Sequence, residues 1–571
     1  MRMSVHLRVG VLAALLCSSG SLVAQSPDSS GIASDAEIRK IITERVDTYH
    51  QSVGIVVGVI EPAGRRIVTY GRASANAPAP LDGDTLFEIG SMSKVFTSLL
   101  LTDAVQRREV VQTDPVSKYL PPGVKVPERG RPITLQDLAN HTSGLPRLPG
   151  NMNPKDPENP YADYSVDQLY QFLSTYQLPR DVGASYEYSN LGAGLLGHIL
   201  ARRAGTDYES LVKARVTDPL KMTSTSVTLS PALRARLAPG HDRSLKPTKG
   251  WDLPTLAGAG ALRSSANDML TFLASAIGDT QSPLAPAMKA MLQPRRPAGG
   301  PGMEIALAWH VFTANGKTIF WHNGGTGGYR TFMAFDADAR RGVVVLTNAS
   351  SPAGPDDIGR HLLDPKSPLL AATSPALAQP KARTEISLSP ATFDRYVGRY
   401  QFAPAIFLTV TRDGNRFMSQ LTGQAAYEVF AETEKDFFYK VVDAQLTFEV
   451  DPQGKTVAVI LHQNGLNQRA PKIEGEPILP KEVAVDPKVL AGYVGRYDFV
   501  PGVSLTITQQ DSRLFAQLTG QPSAEVFASG PRDFFYKIVN AQLTFEVGTD
   551  GQAKAVVLHQ LGRDQRATRA N

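Results

Sequence analysis

The stretch Phe87-Glu88-Ile89-Gly90-Ser91-Met92-Ser93-Lys94-Val95-Phe96-Thr97-Ser98-Leu99-Leu100-Leu101 decides how the rest of the chain is read. A strand-like run, Thr85–Ile89, meets Gly90 and a serine, and an apolar helical pattern then follows through Val95, Phe96, Leu99, Leu100 and Ala104. Ser91 and Lys94 stand at i and i+3, so a helix opening at Ser91 puts both side chains on one face, one turn apart. Helix-terminal N–H groups, the positive end of the helix dipole and an apolar flank that depresses the lysine pKa together favour a serine alkoxide. Ser91 is therefore read as the nucleophile of an acyl-transfer enzyme. The spacing alone is weak, because a chain this rich in Ser and Lys shows about one or two such matches by accident. A second does occur, Ser210-Leu211-Val212-Lys213, but it lies inside a helical pattern with no strand before it and reads as a solvated helix face. Without support elsewhere, Ser91 would be an ordinary N-cap on a buried helix.

The 571 residues are too many for one ordinary core, and a length prior suggests about three or four domains. Residues 1–24 read as a secretory signal: Arg2, His6 and Arg8, an apolar run from Val9 to Leu16, then small residues to Ala24. That run is shorter than the ~18 residues that span a bilayer, so no transmembrane segment is expected after cleavage, and the protein is expected to be periplasmic or secreted. The only cysteine is Cys17, which leaves the mature chain neither a disulfide nor a cysteine nucleophile. Loss of Arg2 and Arg8 leaves 57 basic against 54 acidic residues, a balance that implies no nucleic-acid partner. No Lys/Arg run with interleaved aromatics, no metal-binding His/Glu pair at helical spacing and no phosphate-cradling glycine loop is present, so neither metal nor cofactor is expected.

Along the mature chain, Asp35–Gln51 reads as a helix with Ile38, Ile41, Ile42, Val46 and Tyr49 on one stripe, and Gly54–Ile60 with Arg66–Tyr70 as a hairpin. Leu138–Pro146, LANHTSGLP, ends a helix that starts at Thr134. Pro146–Asp163 is a long polar loop of the kind that often binds substrate. In Tyr186–Leu200, YEYSNLGAGLLGHIL, a turn delivers Tyr188-Ser189-Asn190 to a closely packed Gly/Ala/Leu helix. In Thr318–Phe332, TIFWHNGGTGGYRTF, a strand leads into His322-Asn323-Gly324-Gly325, whose missing side chains let a substrate lie against the backbone. Tyr329–Phe335 and Gly342–Thr347 form a further hairpin, so strands lie at both ends and helices between. Residues 351–385 are Pro/Ala/Ser-rich and read as a linker. Beyond it the sequence repeats at an offset of 97: Tyr396-Val397-Gly398-Arg399-Tyr400 recurs as Tyr493-Val494-Gly495-Arg496-Tyr497, and Ala444–Phe448 as Ala541–Phe545. Each copy, 386–474 and 483–571, is a series of short alternating strands and is expected to be a small antiparallel barrel or sandwich.

With Ser91-Met92-Ser93-Lys94, Tyr188-Ser189-Asn190 and His322-Asn323-Gly324 in this order, roughly residues 35–350 of the expected 25–350 domain resemble the serine β-lactamase-like hydrolases. That superfamily holds class C β-lactamases, D-alanyl-D-alanine carboxypeptidases, D-aminopeptidases and esterases. The resemblance implies an α+β fold, an antiparallel sheet flanked by helices with a helical subdomain, followed here by the two all-β units. It implies that Ser91 is acylated while Lys94 and Tyr188 move its proton. Asn190, His322, Asn323, Gly324 and Gly325 would bind substrate, with the N–H groups of Ser91 and Gly325 as the oxyanion hole. His322 stands where class C β-lactamases have lysine, and Asn323 replaces the usual hydroxyl residue. Both departures weaken the case for an acid-bearing β-lactam. His141 matches a family motif read as a structural turn.

The leading expectation is an exported serine hydrolase acting through a Ser91 acyl-enzyme on an ester or a D-amino-acid-containing peptide. The alternatives are a β-lactamase proper and a non-catalytic penicillin-binding or sensing protein whose repeats do the work. A small molecule or peptide is the expected partner, and the sequence leaves the oligomeric state open.

Overall fold

The structure is a computed structural model. It describes residues 31–74, 80–298, 303–371 and 383–570, except 315, 352 and short stretches of the repeats (405, 423–425, 441–443, 464–465, 475–480, 501–502, 519–522, 538, 540 and 561–562). Residues 1–24, expected to be a signal, lie outside the described residues.

Ten strands build the first part of the chain: β1 (Gly54–Glu61), β2 (Gly64–Gly71), β3 (Leu86–Glu88), β4 (Arg263–Ser265), β5 (Arg296–Pro297), β6 (Met303–Ile305), β7 (His310–Ala314), β8 (Lys317–Gly325), β9 (Arg330–Asp336) and β10 (Arg341–Thr347). Eight of them form one antiparallel sheet in the order β2-β1-β10-β9-β8-β7-β6-β5, while β3 and β4 pair separately. The N-terminal hairpin joins the C-terminal strands through β1 and β10, where Val57 faces Val345 and Val59 faces Val343. That pairing closes the fold around the helices lying between them in sequence.

Strand alternation divides two cores. Ile55, Val57 and Val59 of β1, with Val343 and Val345 of β10, face the N-terminal helix Asp35–Thr43 through Ile38 and Ile42. Val56, Ile60, Val344 and Leu346 face the helical layer, where Leu270 of the helix Ala266–Ile277 rests on Gly58. Phe96 stacks on Phe272 with ring centroids 4.5 Å apart, tying the helix Ser93–Gln106 to Ala266–Ile277. Each such buried side chain contributes about 1.5–3 kcal/mol. Ser34 and Glu37, Thr134 and Asp137, and Ser165 and Gln168 form capping boxes that start three of the helices.

Two sequence expectations change here. The first helix does not run to Gln51: it passes at Glu44 into a π-helical turn ending at Thr48, which turns Arg45 inward to pair with Asp357 at 2.6 Å. The segment 351–385, expected to be a linker, holds a helix, Asp356–Leu363, whose Ile358, Leu362 and Leu363 are buried in the Ile38/Val57/Val345 core. Its short apolar stripe is hidden in a Pro/Ser-rich composition. The Ala371–Ala382 stretch lies almost wholly outside the described residues.

Each repeat is a closed eight-stranded barrel with consecutive strands adjacent, so the sandwich alternative falls away. In the first, Gly398–Ala403 closes on Leu466–Ile473; in the second, Gly495–Val500 closes on Arg563–Arg569. The repeated Tyr-x-x-x-Tyr has a structural cause: Tyr400 Oη donates to Tyr396 O (2.6 Å) and Tyr497 Oη to Tyr493 O (2.7 Å). Tyr396 and Tyr493 stack on Phe448 and Phe545 inside the barrels. The barrels begin upstream of their first strands, since Ile386 N–H donates to Ala431 O and Val483 N–H to Ala528 O. Among the described residues no helix is long and apolar enough to cross a membrane.

Candidate active site

Strand β3 carries the chain to Gly90, whose φ of 52° is left-handed and turns Ser91 outward at the sheet edge. Ser91 lies in a single 3₁₀ turn, Gly90–Met92, and the α-helix begins at Ser93. Ser93 Oγ donates to Gly90 O at 2.8 Å and accepts from Leu262 N–H at 3.1 Å, which pins the turn from behind.

Lys94 Nζ donates to Ser91 Oγ at 2.9 Å, to Asn190 Oδ1 at 2.9 Å and to Ala259 O at 2.7 Å. The side chain is buried, with 1% exposure, and burial, then the nearby Arg147 charge, pull its pKa well below the usual lysine range. Tyr188 presents its ring to Lys94 Nζ at 4.9 Å. Burial pushes its phenol up to about 12, against the opposing effect of a hydrogen bond with Ser91. Tyr188 therefore rests as a neutral phenol.

The loop before the helix Asn190–Ala204 is fixed through Ser189, whose Oγ accepts from Gly192 N–H at 2.8 Å and donates to Pro146 O at 2.6 Å. Asn190 is held at both ends of its amide: Oδ1 receives Lys94, and Nδ2 donates to Tyr161 Oη at 3.3 Å. One amide hydrogen is left for another partner. Tyr161 comes from the long Pro146–Asp163 loop and packs on Trp251, ring centroids 5.3 Å apart.

On β8, His322 and Asn323 part company. His322 is fully buried beside Tyr188 and His310. Its Nδ1 donates to Asn323 O at 2.6 Å, which fixes the neutral tautomer, and its Nε2 has no partner among the described residues. Burial, then the proximity of His310 and Lys94, holds its pKa well below the usual imidazole value. Asn323 was expected to bind substrate with its neighbours, but its side chain lies on the opposite face and donates to Asp356 Oδ2 at 2.6 Å. The two-residue period of a strand is the reason.

Gly324 and Gly325 are required by the protein itself. A Cβ on Gly324 would stand 2.0 Å from Ile89 O, and one on Gly90 would stand 2.7 Å from Gly325 N. The backbone of β8 thus lies directly against the nucleophile turn, and Thr331 Oγ1 donates to Ile89 O at 3.0 Å to hold it there. Gly325 N–H comes beside the Ser91 turn, where an oxyanion-hole donor is needed.

Four residues close to this constellation carried no chemical assignment from the sequence. His141 Nδ1 accepts from Ser189 N–H at 3.2 Å, with its ring 4.6 Å from that of Tyr188. His310 shares a 3.0 Å hydrogen bond with Tyr186 Oη through Nε2, and its pKa is pushed down to about 4, first by burial, then by Lys94 and Arg360. Tyr161 and Arg147 are the others, Arg147 lying over the Tyr188 ring at 5.0 Å. Leu138–Pro146 pointed toward His141 and the Pro146–Asp163 loop contains Arg147 and Tyr161, but nothing in sequence marked His310. The second Ser-x-x-Lys is disengaged: Ser210 Oγ donates to Asp207 and Lys213 pairs with Asp218. Among the described residues no group of three or more His, Cys, Asp or Glu side chains is arranged to hold a metal ion.

Comparisons with known proteins fit this architecture. Residues 38–365 match the beta-lactamase family model, and residues 382–477 and 479–569 each match a domain of unknown function, DUF3471. The chain is similar to the D-alanyl-D-alanine-carboxypeptidase/endopeptidase AmpH of Escherichia coli (strain K12), 30% identical over 316 residues that cover 52% of this chain and 80% of that protein. It is also similar to penicillin-binding protein 4* of Bacillus subtilis (strain 168), 26% identical over 426 residues, covering 70% of this chain and 91% of that one. Among solved structures, the class C beta lactamase from Rhodobacter sphaeroides aligns with a TM-score of 0.49 at 27% identity, over 56% of this chain and 94% of that chain.

Proposed function

The chain belongs to the beta-lactamase family, whose members are serine hydrolases, and from that premise we propose that it cleaves an ester or a D-amino-acid-containing peptide through an acyl-enzyme on Ser91. The observation that carries the reading is the 2.9 Å approach of a buried Lys94 amine to Ser91 Oγ. A lysine with its pKa drawn down by burial has a populated neutral form and accepts the Ser91 proton as Oγ attacks the carbonyl. Tyr188, a neutral phenol in contact with both, hands a proton to the leaving atom and is restored through Lys94. The N–H groups of Ser91 and Gly325 receive the oxyanion, and water releases the acyl group by the same relay in reverse. Asn190 keeps Lys94 aimed. His322 Nε2 is a buried acceptor and takes an N–H or O–H of the substrate.

A panel of p-nitrophenyl esters, D- and L-amino-acid anilides and nitrocefin tests the reading: turnover of esters or D-anilides is expected. β-Lactam hydrolysis is the runner-up, favoured by family membership; an acyl-enzyme that accumulates with negligible nitrocefin turnover rejects it. Export through residues 1–24 belongs to the same proposal. It predicts a periplasmic or secreted protein whose intact mass starts near Gln25.

A further inference from the structure

Tyr188 lies in the irregular run ahead of the helix Asn190–Ala204, so neither a helix nor a strand aims its hydroxyl. The peptide N–H groups on its two sides take that part. Glu187 N–H donates to His141 O at 2.8 Å, and Ser189 N–H donates to His141 Nδ1 at 3.2 Å. One residue thus receives both amides that bracket Tyr188, the first with its backbone and the second with its ring. That ring lies 4.6 Å from the ring of Tyr188, centroid to centroid.

Histidine is an uneconomical choice for this turn on local grounds. His141 has a φ of 60°, a left-handed backbone that a β-carbon disfavours and that glycine adopts freely. Its side chain is buried, and because Nδ1 accepts a hydrogen bond the ring proton sits on Nε2, which has no partner among the described residues. An apolar ring would fill the space without burying an unpaired N–H, and glycine would fit the turn without strain. What histidine adds is the acceptor at Nδ1. Burial, then the nearby Lys94, draws its pKa well below the usual imidazole value, so that acceptor persists. The turn is anchored independently of Tyr188: Thr142 Oγ1 donates to Asp137 Oδ1 at 2.8 Å, Arg131 grips the same carboxylate at 2.6 and 2.8 Å, and Ala308 N–H donates to Ala139 O at 2.9 Å. A strained residue over-determined in this way beside a reactive group points to a role in function.

We propose that His141 is a positioning residue that holds the Tyr188 hydroxyl in place against Ser91 and Lys94 by accepting a hydrogen bond from the amide on either side of it. The assignment rests on the acyl-transfer reading above, in which Tyr188 hands a proton to the leaving atom. His141 acts only through where that hydroxyl sits, and a misplacement of about 1 Å in a reacting group costs on the order of 10²-fold in rate. Three substitutions separate the acceptor from the turn. His141→Asn tolerates the left-handed backbone and carries Oδ1 one bond beyond Cγ, as Nδ1 is. His141→Gly fits the backbone but offers no side-chain acceptor, and the longer amide of His141→Gln reaches the place of Nε2 instead.

The test uses the full chain and the first-order rate of Ser91 adduct formation with saturating fluorescent penicillin, whose leaving nitrogen needs a proton; a phosphonate serves in its place if only that labels. His141→Gly should slow adduct formation by about 10–100-fold while the concentration of probe needed for half the maximal rate changes little. His141→Asn should recover most of that rate. In a Tyr188→Phe background the glycine substitution should cost less than about 3-fold more, because the hydroxyl that His141 places is already gone. His141→Gln replaces the glycine variant in each comparison if the latter does not fold. The same fold loss in both backgrounds would show that His141 merely supports the loop, and a folded His141→Asn as slow as the glycine variant would show that the acceptor is not what matters; either overturns the inference and leaves the hydrolase reading intact. A wild type labelled at Ser91 by neither probe would overturn both.

Discussion

Lys94 directs its three donors at Ser91, Asn190 and Ala259, an arrangement that suits an ammonium, while its burial and the Arg147 charge oppose one. The balance lies toward a lowered pKa, so acylation should lose rate as pH falls through it. Arg147→Gln removes a charge that disfavours protonation, and the acidic limb for a neutral ester should move to higher pH; a limb that stays put would show that Lys94 does not set it. Tyr188→Phe should slow acylation by roughly 10²–10⁴-fold, the worth of a positioned proton-transfer group, as read by the adduct formation rate. His310 gives a stability prediction. Unfolded, it binds a proton below its ordinary 6.5; folded, only below about 4. The unfolded chain therefore holds more protons between these values, and stability falls as pH drops through that window, by on the order of 3 kcal/mol from this group. Asp356, with its pKa pushed up to about 6 chiefly by burial, acts with the opposite sign, so the test is the difference between wild type and His310→Gln. Denaturant unfolding from pH 7 to 4 should show a shallower loss in the variant.

At the scale of elements, the decisive feature is the contact of β8 with the nucleophile turn. Gly324→Ala should destabilise by about 3 kcal/mol or more and abolish labelling, because its Cβ cannot share space with Ile89 O. Gly31→Ala, whose added methyl would meet only Glu61 Oε1 at an ordinary 3.7 Å, should leave labelling intact; comparable loss in both would show that the close approach is not the cause. The Ser91 and Tyr188 turns, the His-Asn-Gly-Gly run and the β character of the repeats were all legible, because local residue types and periodicity carry them. Adjacent residues of a strand alternate faces, so the Asn323 side chain turns to Asp356 while His322 faces Tyr188. The helix Asp356–Leu363 was missed because fewer than three turns leave little period to detect. Within the long loop nothing distinguishes Tyr161 and Arg147 from their neighbours, and His310 has no local signature; each acquires a role only through a partner distant in sequence, as when Tyr186 meets His310.

For the whole molecule, the cores are separate: one about each face of the sheet and one inside each barrel, with no buried cluster shared between sheet and barrels among the described residues. We propose a functional division along the same lines. A chain ending at residue 371 keeps the helix Asp356–Leu363 and the Leu370 N–H to Asp357 contact, and should still be labelled at Ser91. Its choice among short and long substrates should change, since Tyr427 of the first barrel is among the groups that raise the Tyr161 phenol pKa and so lies near the site. An identical profile for both chains would remove any role of the barrels in selection.

The central claim is that Ser91, activated by Lys94, carries the acyl group. Intact-mass analysis and peptide mapping after a phosphonate or β-lactam probe test it directly. The account predicts one adduct, on the Ser91 peptide, absent from Ser91→Ala and strongly slowed in Lys94→Met. An adduct on another residue, or undiminished labelling in folded Ser91→Ala, would contradict it.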